Sequence, residues 1–169
     1  MLWKAICASL QRHVTSRTHP FNYTFTTMSN LPYSEAWLAG PSSTQFYTGT
    51  YTPVTLESTK AAIVFVHGFA EHVGRYTHFH PLLSAHGIAV FTYDQRGFGL
   101  TAQDTKGNKS KSSTYGKTCW KDHWQMADIE WAVEHAHKSF KGKPIFLMGH
   151  SMVNFTITLA LNFGSDVFV

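Results

Sequence analysis

The residues best suited to chemistry are Gly149-His150-Ser151-Met152, which follow directly on the apolar run Ile145-Phe146-Leu147-Met148. A strand that turns sharply through Gly-x-Ser-x projects the serine hydroxyl from the carboxyl edge of a sheet, the arrangement that presents a nucleophile in the G-x-S-x-G elbow. Glycine is needed there because strand and following helix approach too closely for side chains, and because the serine takes up strained backbone angles. A hydroxyl so placed can attack an acyl carbonyl. A second segment, His67-Gly68-Phe69, follows another apolar run, Ala61 to Val66. The backbone N–H groups of Phe69 and Met152 would then converge on the carbonyl oxygen of a molecule bound near Ser151. Such a donor typically contributes about 2.7 to 4 kcal/mol of transition-state stabilisation.

These segments need a scaffold that brings two strand ends together. Ala61 to Val66 is apolar at every position, which predicts a strand covered on both faces, as in parallel sheets. Residues 72–86 have helical character, and Gly87 is placed to end that helix. Ile88 to Tyr93 reads as a second buried strand ending at Asp94, and Ile145 to Met148 as a third. Between them, residues 103–118 are a polar surface loop. Residues 119–140 carry apolar side chains at 120, 124, 127 and 131 and at 126, 129, 133, 136 and 140, the three-and-four spacing of an amphipathic helix. Upstream, the aromatic and Thr residues of Gln45 to Val54, followed into Pro53, suggest a strand near a sheet edge. The fold class predicted is α/β, a mostly parallel sheet with right-handed crossovers and helices on both faces.

Composition bounds the answer. The 169 residues amount to one domain or part of one, and 43% apolar content with 13 Phe, 7 Tyr and 5 Trp is ample for a core. Only 14% of residues are charged, against about 25% in typical globular chains, which points to buried sheet. No apolar run approaches the roughly 18 residues of a membrane-spanning helix. Of 14 Lys plus Arg, three (Lys4, Arg12, Arg17) fall in the first 27 residues, which hold no acid; the remaining 11 nearly balance 10 Asp plus Glu. A nearly neutral body argues against a nucleic-acid partner. Cys7 and Cys119 alone make no disulfide framework, so reduced thiols in an intracellular setting, cytoplasmic or membrane-peripheral, are expected. Residues 1–30 read as a flexible N-terminal extension ahead of a second start at Met28; residues 1–27 also have the composition of a mitochondrial targeting segment.

The series Glu35-Ala36-Trp37, Val66-His67-Gly68-Phe69-Ala70-Glu71-His72-Val73-Gly74-Arg75-Tyr76, Asp94-Gln95-Arg96-Gly97-Phe98-Gly99 and Phe146-Leu147-Met148-Gly149-His150-Ser151-Met152 resembles the N-terminal half of a monoacylglycerol lipase-like α/β hydrolase. The same domain is also grouped with serine aminopeptidases. The resemblance spans roughly residues 34–152. It implies an α/β-hydrolase domain over 31–152, Ser151 as nucleophile, Phe69 and Met152 as oxyanion donors, an acyl-enzyme mechanism, and acylglycerol or another lipid ester as substrate. It implies no cofactor and no metal.

Three departures accompany the matches. The family continues Gly-His-Ser-Met-Gly-Gly, whereas Val153-Asn154 stand here. The triad of this fold runs Ser, then Asp or Glu, then His, yet the only acid after Ser151 is Asp166 and no His follows at all. The family's later strands and its cap find no counterpart. Residues 153–169 instead alternate apolar and polar with period two, a strand signature where the elbow needs a helix. The expectation is a family of serine ester hydrolases, represented here by a chain of little or no activity; the alternative is a non-catalytic truncated paralogue or a mis-spliced fragment.

Other patterns weigh less. Gly97-Phe98-Gly99-Leu100-Thr101-Ala102 fits G-x-G-x-x-A, but Asp94-Gln95-Arg96 separates it from the strand and a Lys-rich loop stands where a helix is required. His78/His80 and His135/His137 lack the carboxylates or cysteines of a metal set. Asp94 and Arg96 read as a pair stabilising a loop, Glu71 and His72 as residues ordering the loop that bears Phe69. The lysines from 106 to 121 read as a solvated face, with anionic membrane contact secondary.

Overall fold

The computed structural model describes residues 32–55, 57–108, 110–117 and 124–151. The expectations for residues 1–30, Cys119, Met152 and the tail 153–169 lie outside them. Five strands form one sheet: β1 (Tyr33–Ala39), β2 (Gln45–Tyr51), β3 (Ala61–Val66), β4 (Ile88–Tyr93) and β5 (Ile145–Gly149), in the order β1-β2-β4-β3-β5. Among the described residues three α-helices accompany them: α1 (His80–Ala85), α2 (Gly99–Gln103) and α3 (Trp124–Ser139).

The sheet is mixed. The three apolar runs, β4, β3 and β5, pair in parallel, while β1 on β2 and β2 on β4 are antiparallel. For β1 and β2 the physical reason is connection length: a short 3₁₀ turn at Pro41–Ser43 can only fold β2 back on β1, whereas the parallel strands are separated by helical crossovers. Because β2 pairs with both β1 and β4, the edge on this side is β1. Strand β1 carries no apolar alternation to announce it, and it is largely exposed.

Both faces of β3 and β4 are covered. Ala62, Val64 and Val66 of β3, with Phe91 and Tyr93 of β4, pack against Ile129, Ala132 and Ala136 of α3. On the opposite face Phe65 and Val90 pack with Tyr76, Phe79 and Leu83 of the α1 region. Strand β5 differs from the expected buried strand. Ile145 and Leu147 are buried on the α3 side, but Phe146 and Met148 on the α1 side remain 37% and 39% exposed. It ends the described sheet, so covering elements reach only one of its faces.

The helix expected over residues 72–86 is split into a 3₁₀ turn at Val73–Tyr76 and the short α1. Gly87 ends α1 as predicted, at φ +88°, and a Cβ there would sit 3.0 Å from the Ser58 carbonyl oxygen. A one-turn helix, α2, follows Phe98 and ends at Gln103, where the polar loop expected over residues 103–118 begins.

Candidate functional site

The carboxyl ends of β3 and β5 lie side by side, since Val66 pairs with Gly149, and the His150 N–H donates to the Val66 carbonyl at 3.1 Å. Parallel pairing therefore places the segment after β3, Gly68-Phe69-Ala70, directly against the segment after β5, His150-Ser151. Contact at Gly68 is close. A Cβ there would fall 2.8 Å from Glu71 Oε2, 3.0 Å from His150 Nδ1 and 3.2 Å from Ser151 Cβ, so any side chain larger than glycine's hydrogen would force these neighbours to shift. Ser151 is exposed and has φ +59°, and Ala70 has φ +54°. Non-glycine residues in this region carry strain of order 1–3 kcal/mol, which the surrounding contacts must hold in place. Phe69 stands 55% exposed with its ring 5.5 Å from that of Phe98. Of the three site residues predicted, Ser151 and Phe69 are thus carried on adjoining segments, and Met152 lies outside the described residues.

Two buried histidine and carboxylate groups fix the loops behind this contact. The His67 ring is fully buried; its Nδ1 lies 2.8 Å from the Gly68 carbonyl and its Nε2 accepts the Gln95 N–H at 2.9 Å. A carbonyl only accepts, so the proton sits on Nδ1 and the ring is neutral. Burial drives its pKa down to about 4, against smaller opposing effects of the Gly68 hydrogen bond and Glu71. Asp94, at the end of β4, accepts the N–H of Val73 at 2.7 Å and of Leu100 at 2.6 Å, tying the 3₁₀ turn and α2 to one strand end. Burial raises its pKa even against these bonds.

Asp94 does not pair with Arg96, contrary to the sequence expectation. Arg96 turns the other way and makes a two-pronged ion pair with Asp128 of α3, Nε to Oδ2 at 3.1 Å and Nη2 to Oδ1 at 2.6 Å. It also donates to Thr44 Oγ1 and to the Pro41 carbonyl, and stacks over Phe46 and Trp124. Asp128 sits on the buried face of α3, and an acid on an apolar stripe was the available signal that it needs a cation. The partner, 32 residues away, has no local signature.

Glu71 does order the loop bearing Phe69, and it does more. Its Oε2 accepts three hydrogen bonds: from the Gly68 N–H at 2.8 Å, the Tyr76 hydroxyl at 2.5 Å and His150 Nδ1 at 3.0 Å, while Arg75 Nε stands 3.7 Å from Oε1. Burial alone would raise this carboxyl, but the bonds from Tyr76, His150 and Gly68 outweigh it and bring the pKa to about 2. An ionised carboxylate only accepts, so His150 donates from Nδ1. Beside this cluster lies a cavity of about 400 Å³ whose walls include Phe65, Tyr76, Phe79, Met148 and His150. It adjoins Glu71 on the α1 face. Ser151 is not among its lining residues. Among the described residues no group of three or more His, Cys, Asp or Glu could hold a metal ion, and no helix is long and apolar enough to cross a membrane.

Comparison with known proteins gives this geometry a context. The model of the family described as serine aminopeptidase, S33, matches residues 57–162. A Schizosaccharomyces pombe relative is 37% identical over 120 residues, covering 70% of this chain and 28% of its own. The human protein named monoglyceride lipase is 33% identical over 95 residues, covering 56% of this chain and 28% of its own. The chain thus spans between a quarter and a third of these relatives. Among solved structures, a thermostable carboxyl esterase from Bacillus coagulans, crystallised with glycerol, superposes with a TM-score of 0.52 at 25% identity, over 72% of this chain and 37% of its own. The fold is that of part of an α/β hydrolase.

Proposed function

The chain belongs to the serine aminopeptidase, S33, family of hydrolases, and on that premise we propose that it carries the nucleophile side of a serine ester hydrolase for lipid esters of the acylglycerol type. The observation that carries the reading is Ser151 held at φ +59° at the end of β5, its Cβ 3.2 Å from where a Cβ on Gly68 would stand. In this reading Ser151 Oγ attacks the ester carbonyl carbon and its proton passes to a general base. The oxyanion that forms accepts hydrogen bonds from the N–H groups of Phe69 and Met152. Collapse expels the alcohol, protonated as it leaves, and water then releases the acid from the acyl-enzyme. The lipid character rests on relatives named for monoglycerides. Exposed Phe69 supplies apolar surface on the flanking loop, and exposed Leu100 on α2.

Family chain order places the acid and then the histidine after the nucleophile. Within residues 1–169 no histidine follows His150. On this reading the 169 residues contribute nucleophile and oxyanion donors, and turnover by them alone is slow, resting on the oxyanion site and binding. The Val153-Asn154 that stand where the family continues with Gly-Gly favour a second reading, a chain that binds without catalysing.

A fluorophosphonate probe separates the two. Labelling at Ser151, abolished in Ser151→Ala, supports the first. An unlabelled chain that still unfolds cooperatively in urea supports the second.

A further inference from the structure

One carboxylate binds both of the segments that face each other across the candidate site. Glu71 Oε2 binds the N–H of Gly68, the residue before Phe69, and the ring of His150, the residue before Ser151. The third donor, the Tyr76 hydroxyl, comes from the 3₁₀ turn after the loop. Each partner belongs to a different segment, and the two that matter are 82 residues apart in sequence but meet on one oxygen. Without that oxygen, the separation of the two segments would be set by the single main-chain bond from His150 to Val66 and by the close contact at Gly68.

We propose that Glu71 is a positioning residue that sets the distance between the Phe69 amide and the Ser151 hydroxyl by clamping Gly68 and His150 to a single carboxylate oxygen. The proposal rests on the reading of Ser151 as nucleophile. Its electrostatics run against simple expectation, because a carboxylate near a developing oxyanion opposes it. Three hydrogen-bond donors and the nearby Arg75 guanidinium offset that charge, so what remains to Glu71 is geometry. A displacement of about 1 Å in such an arrangement can cost on the order of 10²-fold in rate.

The test uses the full 169-residue chain and two readouts: the rate of Ser151 labelling by a fluorophosphonate, resolved into maximal rate and half-saturating concentration, and hydrogen exchange at the Gly68 amide. Glu71→Ala is expected to lower the maximal labelling rate by about 10²-fold and leave half-saturation nearly unchanged. Gly68 exchange should quicken by about 10- to 100-fold, the loss of one bond to a charged acceptor, with the Val64 and Phe65 amides unaffected. Glu71→Gln keeps an accepting oxygen without the charge and should fall between wild type and alanine; it carries the test if the alanine variant does not fold. Labelling of Glu71→Ala at the wild-type rate overturns the proposal, and so does a Glu71→Gln chain that labels faster than wild type, since charge would then outweigh position. If the wild-type chain is not labelled, the nucleophile reading fails; the clamp is then decided by exchange, and unchanged Gly68 exchange in Glu71→Gln and Glu71→Ala overturns it.

Discussion

Two polar clusters sit near the carboxyl end of the sheet, one on each face, and they are built differently. On the α3 face Arg96 and Asp128 meet in a planar two-pronged pair, both side chains almost fully buried, with Thr44, Pro41 and two aromatic rings around the guanidinium. On the α1 face Glu71 gathers donors from three segments, and one of them, His150, keeps more than half its side chain in solvent. The first joins a helix, a turn and a strand end and touches nothing reactive. The second joins the two segments that carry Phe69 and Ser151. Dry, geometrically complete pairs hold elements together, whereas a carboxylate shared by several donors beside solvent sets a distance between backbones.

The sharpest way to break this contrast is Asp128→Ala. Leaving Arg96 buried without its carboxylate should destabilise the fold by about 3–5 kcal/mol in urea unfolding; a loss below about 1 kcal/mol would show the pair to be no anchor. Acid tests the other face. His67 and His80 are fully buried, and burial brings each down to about 4 from the ordinary 6.5. Groups held neutral in this way support the fold above pH 6.5, and that support is lost as pH falls through about 4. Each ring accounts for roughly 3 kcal/mol, opposed by Asp94 and Asp128, whose raised values act in the reverse sense. A urea midpoint that stays flat from pH 7 to 4 would contradict the neutral-ring assignment. Gly68→Ala should cost about 1–3 kcal/mol through overpacking and slow Ser151 labelling more than stability alone explains. Smallest is Met148→Ala on the open face of β5, expected to cost under about 1 kcal/mol, against about 2–5 kcal/mol for its buried neighbour Leu147→Ala.

What could be read from the chain follows the range of the interactions involved. The parallel strands were legible because burial on two faces demands unbroken apolar runs, and Gly87 because only glycine is at ease at the backbone angle that ends α1. Strand β1 was not, since it lies at the edge with most side chains in solvent and its partners, Tyr33 with Tyr51 and Trp37 with Tyr47, are set by pairing. Residues 72–86 looked like one helix because local propensity does not register that Asp94 captures the Val73 amide and stabilises a tight turn instead. The Gly-His-Ser segment announced itself through its strand. Its coupling to Glu71 did not, for nothing local links residues 79 positions apart.

The strand order has a consequence for the newborn chain. Strand β3 is interior in the finished sheet, yet β5, which closes its second flank, is made about 80 residues later. At a ribosomal pace of roughly 5–20 residues per second, that flank stays unzipped for about 4–16 s, with Ile63 and Phe65 beside it. The hairpin of β1 and β2 can form early, but the corner holding Gly68 and Ser151 is among the last parts of residues 32–151 to come into being.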